Sequence, residues 1–308
     1  MSRPEHNTAE EALTAAVGLR AQVVLDRVPA AVEDQYDAVH QLRTAVRRLR
    51  SLLAVFRSHF LAEEVTDLRH RLSTLGDVLG EPRDLEVAAE LAGSVLEELR
   101  ASRDDEPVTE VSATLIDSVL EERATAHATF VAWWEDHGEE LTSALEGWAE
   151  GAPVDPALAE EAAKPFLKDA LRSEVARARI MADRLEVGLL EGPDDRTLAD
   201  AHRLRKAGRR LRYIAEAFTQ PPAEVLGKKA RRAGKRGSRL QTVLGDHRDA
   251  LLLGGRARRL AVEASTPGAA DDFRAFAAVA EARASSALAD LPQAMTKLRS
   301  AATTLGPV

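Results

Sequence analysis

HQLRTAVRRLRSLLAVF, residues 40–56, recurs later in the chain as HRLRKAGRRLRYIAEAF, residues 202–218. The two stretches align without gaps at an offset of 162 residues. The identical pairs include His40/His202, Leu42/Leu204, Arg43/Arg205, Arg47/Arg209, Arg48/Arg210, Leu49/Leu211, Arg50/Arg212 and Phe56/Phe218. A match of this length within one sequence indicates an internal duplication.

Both copies have the spacing of an amphipathic helix. At about 100° per residue, the basic residues fall in one stripe roughly 80° wide. The stripe consists of His40, Arg43, Arg47 and Arg50 in the first copy and of His202, Arg205, Arg209 and Arg212 in the second. The apolar positions, which end at Phe56 and Phe218, lie on the opposite side. The pattern therefore predicts two helices, each with one apolar face and one cationic face.

The cationic faces lack the usual mixture of charge signs. A charged stripe often serves only to keep one face of a helix in water. Such faces usually combine acids with bases, because Glu or Asp four residues from Arg adds a few tenths of a kcal/mol and like charges at that spacing cost a similar amount. Neither residues 40–50 nor residues 202–212 contain an acid. We therefore favour an anionic partner over simple solvation of both faces.

The whole chain is acidic although these helices are basic. Its 308 residues carry a formal net charge of −8, yet residues 228–239 hold seven Lys or Arg and no acid. This segregation predicts a focused cationic surface on an acidic body, which is unlike a generic nucleic-acid binder. Aromatic residues are only 4% of the chain, and single-stranded nucleic-acid sites usually stack bases on aromatic side chains.

The sequence also indicates where the protein works. It has no cysteine, which rules out disulfides and thiolate sites. The first residues lack a basic start followed by an apolar run, and no stretch approaches about 18 consecutive apolar residues. We therefore expect a cytoplasmic protein that does not enter membranes.

Ala, Leu, Glu and Arg dominate the chain, and the alternation typical of strands is missing, so we expect an all-α fold. The expected helices cover residues 8–27, 40–56, 62–79, 84–103, 109–137, 159–190, 194–218, 223–244, 246–264 and 269–304. Acidic residues 104–107 and the Gly-Pro pair at 192–193 are expected breaks, and residues 151–157 are the expected linker. Short connections predict two antiparallel bundles, over residues 8–150 and 158–304.

A second motif is also duplicated. LGEPRD, residues 79–84, recurs as LGDHRD, residues 244–249. Its glycines suit the left-handed position after a helix, and Asp84 and Asp249 can cap the first turn of the next helix. Arg83 and Arg248 either pair with these aspartates or join an anion site, and the sequence leaves both possibilities open.

Together, the two duplicated motifs resemble those of the CHAD domain, the conserved histidine α-helical domain, over residues 8–304. The resemblance implies two helical bundles related by a pseudo-twofold axis. It also implies that the protein binds inorganic polyphosphate through His, Arg and Lys on a basic surface or in a central pore, and that it associates with polyphosphate granules.

The resemblance assigns this role to the eight stripe residues, with Arg48, Lys206 and Arg210 as contacts beside the stripe. The family often has a lysine in the third helix, where this chain has Ser73 and Ser238. The candidates to replace that lysine are Lys235, Arg236 and Arg239 in the second half and Arg69 and Arg71 in the first. Arg83 and Arg248 complete the secondary candidates.

Three other functions compete with polyphosphate binding. Some CHAD domains are fused to a triphosphatase-type domain with a Glu-x-Glu-x-Lys signature, but this chain lacks that signature and any Gly-rich phosphate loop. Phosphoryl chemistry would also require metal-holding carboxylates beside the stripe, so we expect no enzyme activity, no cofactor and no metal. The second alternative is a helical nucleic-acid-binding module. The two basic helices differ from helices that read bases, because they contain little Asn or Gln. A scaffold for an acidic protein partner is the third alternative.

The histidines of the stripes suggest a pH dependence. An imidazole among several guanidinium groups loses its proton readily unless an anion is bound, when protonation becomes favourable. We therefore expect polyphosphate binding to tighten somewhat below neutral pH if His40 and His202 belong to the site.

Overall fold

The computed structural model describes residues 6–101, 109–191 and 194–305, with the side chains of residues 109–113 and 302–305 left undescribed. The helices are α1 Ala9–Val32, α2 Ala38–Val55, α3 Ala62–Val78, α4 Gly80–Ala101, α5 Thr109–Glu150, α6 Ala163–Glu191, α7 Asp195–Thr219, α8 Lys228–Glu263, α9 Pro267–Leu288 and α10 Leu291–Leu305. Over the described ranges there is no β-strand, only two isolated bridges. The all-α prediction is confirmed.

Two helix starts follow directly from local sequence. Thr8 accepts a hydrogen bond from the amide of Glu11 at 3.2 Å, and the Glu11 carboxylate accepts one from the amide of Thr8 at 3.3 Å. Asp194 and Thr197 form the same reciprocal cap before α7. These caps satisfy backbone donors that the first helical turn leaves unpaired.

Two helices continue where the sequence predicts an end. Helix α1 passes through Pro29 to Val32, because Val28 and Ala31 are buried and a proline near the end removes only one hydrogen bond. Helix α5 passes Gly138, whose missing side chain leaves room for the Trp134 ring.

The predicted break at residues 244–249 is also wrong. Helix α8 is continuous there, since Gly245 costs only about 1 kcal/mol in a helix whose flanking Leu244 and Ala250 are buried. Asp249 is therefore inside α8 and Asp84 inside α4, so neither caps a helix.

One predicted helix is divided instead. Residues 269–304 form α9 and α10, separated at residues 289–290, and Pro292 occupies the first turn of α10, where its missing N–H costs little. The expected breaks at residues 104–107 and 192–193 lie outside the described residues.

The chain divides into two compact units. The first unit comprises residues 1–77, 133–242 and 292–308. Within it, α1 packs against α2, α6 and α7, and α7 packs against both α2 and α6. The segment after α5 runs beside the start of α3, where the amide of Leu61 donates to the carbonyl of Pro153 at 2.9 Å. This unit contains both copies of the basic helix.

The second unit comprises residues 78–132 and 243–291. Its core joins α4 to α9 through buried residues such as Val95, Leu96, Phe273 and Phe276. Arg283 on α9 donates to the Glu98 carboxylate at 2.7 Å. Each unit draws residues from both sequence repeats, and the division into repeats at residues 8–150 and 158–304 stays a prediction, as does the pseudo-twofold axis.

Candidate functional site

The two basic helices pack against each other. Their predicted apolar faces are fully buried: Leu42, Val46, Leu49, Leu204, Leu211 and Ile214 have no exposed surface. Phe56 and Phe218 meet edge to face, with ring centroids 5.7 Å apart. Burial of each apolar face fixes the rotation of its helix within the bundle. The direction of the basic stripe on the opposite face is fixed as a result.

The two stripes converge on one another. Burial lowers the pKa of Arg47 to about 9, assisted first by Arg43 of the same helix and then by Arg209 and Arg205 of α7. Burial also lowers the pKa of Arg209, and Arg205, Arg43 and Arg50 act in the same direction. Arginines of one helix lower the pKa of an arginine of the other helix only when their guanidinium groups lie close together. We call Arg43, Arg47, Arg205 and Arg209 the central arginine cluster.

The charged groups that act on Arg47 and Arg209 are mainly other arginines. Among the residues that the structure describes, neither Arg47 nor Arg209 forms an ion pair with a carboxylate. The pKa of Arg47, about 9, still leaves that side chain charged at neutral pH. The cluster is therefore a concentrated and half-buried positive surface, which an anion would stabilise.

Helix α3 extends the positive surface. Arg50 donates to Ser73 at 3.0 Å and lies across Gly76, where a Cβ atom would stand only 2.5 Å from its guanidinium nitrogen. Burial lowers the pKa of Arg69, and Arg57, Arg50 and Arg210 lower it further. Arg69 therefore lies near the arginines of α2 and α7, and Ser73 holds Arg50 where the family resemblance suggested a lysine.

The other candidate in α3 points elsewhere. Arg71 pairs with Asp67 and with Glu140, each at 2.7 Å, and these carboxylates raise its pKa. Arg69 and Arg71 were equivalent candidates in the sequence. The structure separates them, since only Arg69 is surrounded by other arginines.

The expectation that the stripes lack carboxylate neighbours is wrong at Arg212, and Arg48 and Arg210 beside the stripes also have carboxylate partners. Arg212 pairs with Glu216 one turn later at 2.7 Å, and Arg48 reaches the same carboxylate at 3.7 Å. Arg210 pairs with Glu174 of α6 at 2.5 Å. The residues compared in the sequence stop before Glu216, and Glu174 is brought close only by tertiary packing.

Tyr213 supports two of these paired arginines. Its buried ring lies 5.7 Å from the Arg48 guanidinium carbon and 5.6 Å from that of Arg212. Guanidinium groups are attracted to the face of an aromatic ring at such distances. Tyr213 therefore holds one arginine from each basic helix.

The remaining candidates are more dispersed. His40 is half-buried on α2, whereas His202 and Lys206 are exposed on α7. Lys235 and Arg239 are exposed on α8, and Arg236 beside them is half-buried.

Arg83 and Arg248 belong to the second unit, where each faces carboxylates. Arg83 lies 3.1 Å from Glu86, and Arg248 lies 3.2 Å from Asp249 and 3.6 Å from Asp84. Arg248 pairs with the aspartates of both motif copies, which is the first of the two possibilities that the sequence left open.

One residue near the site was missed from the sequence. Burial lowers the pKa of Arg20 on α1 to about 10, with Arg48 acting in the same direction and Glu216 against it. Arg20 and Arg27 are the two arginines of an Ala- and Val-rich helix, so no charge pattern marks Arg20. Only the packing of α1 against α2 and α7 reveals its position.

The part of the chain that the structure describes shows neither a metal site nor a membrane-spanning helix. No group of three or more His, Asp or Glu side chains there is arranged to hold a metal ion. Likewise, no helix within those ranges combines the length and the apolar character needed to cross a membrane.

A helical bundle in which two copies of one basic helix pack together belongs to the all-α class of folds. The sequence matches the CHAD domain over residues 15–258, so the chain belongs to the CHAD domain family. The fold agrees with a crystal structure of the CHAD domain from the plant Ricinus communis, with a TM-score of 0.67 and 26% identity over 97% of this chain and 94% of that one. It also agrees with PptA from Streptomyces chartreusis, with a TM-score of 0.70 and 20% identity over 94% and 99% of the two chains.

Two curated relatives come from Mycobacterium tuberculosis. They are the uncharacterised proteins Rv2226 of strain H37Rv and MT2285 of strain CDC 1551, each 30% identical over 236 residues. The match covers 76% of this chain but only 42% of each relative. The chain thus spans less than half the length of these relatives.

Proposed function

We propose that this protein binds inorganic polyphosphate, without transforming it, through the central arginine cluster. The observation that carries the proposal is the convergence of Arg47 and Arg209 from two equivalent helices, with no carboxylate paired to either among the described residues. Membership of the CHAD domain family agrees with a polyphosphate-related role.

The chemistry of the cluster suits a phosphate chain. Polyphosphate presents many anionic oxygens and no other recognition group, so a protein must hold it with several cations along a path. Arginine is well suited, because its planar group donates to two oxygens at once and keeps its charge. Arg43 and Arg47 on α2 and Arg205 and Arg209 on α7 would hold neighbouring phosphates. Arg50, Arg69, His40 and His202 would extend the path.

The same surroundings favour binding over catalysis. Phosphoryl transfer usually relies on metal ions held by carboxylates close to the phosphate. Arg47 and Arg209 have arginine neighbours and Tyr213 instead. A site of this kind neutralises the phosphate chain, and within the described ranges neither Arg47 nor Arg209 pairs with a carboxylate that could hold a metal ion beside it. In a cell, such a protein would reside in the cytoplasm on polyphosphate granules.

Titration calorimetry with polyphosphates of several lengths tests the binding. We expect exothermic binding whose affinity rises with chain length, since longer chains reach more arginines. A duplex DNA with the same number of phosphates should bind more weakly, and polyphosphate should displace it. Absence of polyphosphate binding at low salt would refute the proposal.

A second experiment tests the absence of catalysis. The protein is incubated with long-chain polyphosphate and Mg²⁺, and the chain lengths are followed on a gel. We expect an unchanged length distribution over hours. Shortening that disappears in an Arg47→Gln variant would show an enzyme at this site.

A further inference from the structure

Glu216 is surrounded by arginines from three helices. Its carboxylate pairs with Arg212 of α7 at 2.7 Å and with Arg48 of α2 at 3.7 Å. Arg20 of α1 is close enough for Glu216 to influence its pKa in the direction opposite to burial. One negative charge thus faces three positive charges.

The arginines around Glu216 are arranged as they would be around a phosphate. One carboxylate oxygen accepts from Arg212 and the other faces Arg48, much as two phosphate oxygens would engage two guanidinium groups. The Tyr213 ring also contacts both arginines. Both arginines therefore have a contact that does not depend on Glu216.

Glu216 differs from Glu174, another acid beside the basic helices. The Glu174 side chain, which pairs with Arg210, is only 3% exposed, so this carboxylate is part of the packed interior. The Glu216 side chain is 27% exposed, and its partners Arg48 and Arg212 are 40% and 30% exposed. The Glu216 carboxylate is therefore accessible to a polyanion in solution, whereas the Glu174 carboxylate is not.

We propose that Glu216 is a specificity-determining residue, an internal counter-anion that occupies the Arg48 and Arg212 position and limits how many phosphates the protein holds. This inference rests on the proposed polyphosphate binding at the central arginine cluster. With Glu216 in place, phosphates engage the cluster around Arg47 and Arg209, while Arg48 and Arg212 remain paired with the carboxylate. Without that charge, Arg20, Arg48 and Arg212 become a continuation of the site.

The test compares two variants that each remove one negative charge. Glu216→Gln removes the internal counter-anion, whereas Asp183→Asn removes an exposed carboxylate of α6 that pairs with Arg299 at 2.9 Å. We expect Glu216→Gln to bind long polyphosphate about three- to tenfold more tightly at low salt. Each additional cation–phosphate contact should also steepen the slope of log affinity against log salt by about 0.7. Asp183→Asn should change neither quantity appreciably.

A double-mutant cycle with Arg212→Gln shows whether the gain passes through the proposed partner. In the natural sequence, Arg212→Gln should change affinity by less than about twofold, because Glu216 already neutralises that arginine. In the Glu216→Gln background, the same change should remove most of the gained affinity. If Glu216→Gln does not fold, as judged by circular dichroism, Arg48→Gln and Arg212→Gln alone still decide the matter.

Two results would overturn the inference. One is an affinity of Glu216→Gln equal to or below that of the natural protein. The other is a loss in Arg48→Gln or Arg212→Gln as large as in Arg47→Gln, which would mean that phosphate already displaces Glu216. Either result leaves polyphosphate binding itself intact. If the natural protein binds no polyphosphate, the proposed function and this inference both fail.

Discussion

Phe56 and Phe218, which occupy equivalent positions at the ends of the two basic helices, contact each other edge to face with their ring centroids 5.7 Å apart. Both rings are buried, and Phe166 of α6 stacks on Phe56 at 5.7 Å. The duplicated motif thus supplies the contact that holds its own two copies together. The arginines that precede each phenylalanine are positioned by this contact.

The phenylalanine contact predicts a large effect on stability. Phe218→Ala should lower the free energy of unfolding by about 3–5 kcal/mol, because it opens a cavity and removes an aromatic pair. Phe218→Leu, which keeps most of the volume, should cost clearly less. Denaturant unfolding followed by circular dichroism measures both. Equal and small effects of the two variants would show that the ring contact does not hold the helices together.

A second prediction concerns the close approach of α7 and α8. A Cβ atom on Gly237 would collide with the carbonyl oxygen of Gly208 and lie 3.1 Å from the amide nitrogen of Arg212. Gly237→Ala should therefore destabilise the protein by roughly 1–3 kcal/mol, since backbone atoms must move apart. Gly147→Ala in α5 is the control, because no atom lies within 4 Å of its added Cβ. That change should be neutral or stabilise by about 0.5–1 kcal/mol. A tolerated Gly237→Ala would refute the tight crossing.

A third prediction is that the site reduces the stability of the ligand-free protein. Arg47→Gln removes repulsion from three neighbouring arginines at a few tenths of a kcal/mol each, or about 1 kcal/mol in total. The melting temperature without polyanion should rise by roughly 2 °C. A lower melting temperature at neutral pH would contradict the repulsion.

The sign of the pH dependence follows from the lowered pKa of Arg47, about 9 in the folded protein. Below pH 9 the folded and unfolded states both carry this charge, and the folded state bears the full repulsion. Above pH 9 the folded protein releases the proton and the unfolded chain keeps it, so this group then adds to stability as pH rises. The advantage of Arg47→Gln should accordingly be largest at pH 7–8 and shrink towards pH 10. An advantage that stays constant over this range would show that Arg47 remains charged.

A fourth prediction separates two arginines of α3. Arg69→Gln should weaken polyphosphate binding about three- to tenfold, because Arg69 lies near Arg50 and Arg210. Arg71→Gln changes the net charge equally but removes an arginine already paired with Asp67 and Glu140. Calorimetry should show little effect for Arg71→Gln. Equal losses in the two variants would mean that binding depends on overall charge alone.

Much of this architecture could be predicted from the sequence because it depends on local periodicity. The apolar positions of residues 40–56 and 202–218 recur with helical spacing, and burial of those faces leaves the basic stripes few directions to face. The capping residues Thr8 and Asp194 mark their helix starts for an equally local reason. Cationic stripes that lie close to one another follow from these features.

The rest depends on tertiary contacts that no local pattern reports. Glu174 approaches Arg210 from another helix, and Arg20 joins the arginines only because α1 packs against α2 and α7. The continuous α8 shows a related difficulty, since a glycine such as Gly245 weakens a helix by less than the packing of that helix contributes. Gly245 predicted a helix break, but burial of Leu244 and Ala250 on either side keeps the helix continuous.

The most direct test of the account is the affinity of Arg47→Gln/Arg209→Gln for long-chain polyphosphate. The control is Arg258→Gln/Arg274→Gln, which removes the same charge from exposed arginines that pair with Glu281 and Asp271. We predict that the first double variant keeps its helical circular dichroism and loses at least tenfold in affinity, since each lost charge-assisted contact costs about 1.5–3 kcal/mol. The control should bind nearly as the natural protein does. Unchanged polyphosphate affinity in a fully helical Arg47→Gln/Arg209→Gln variant would contradict the account.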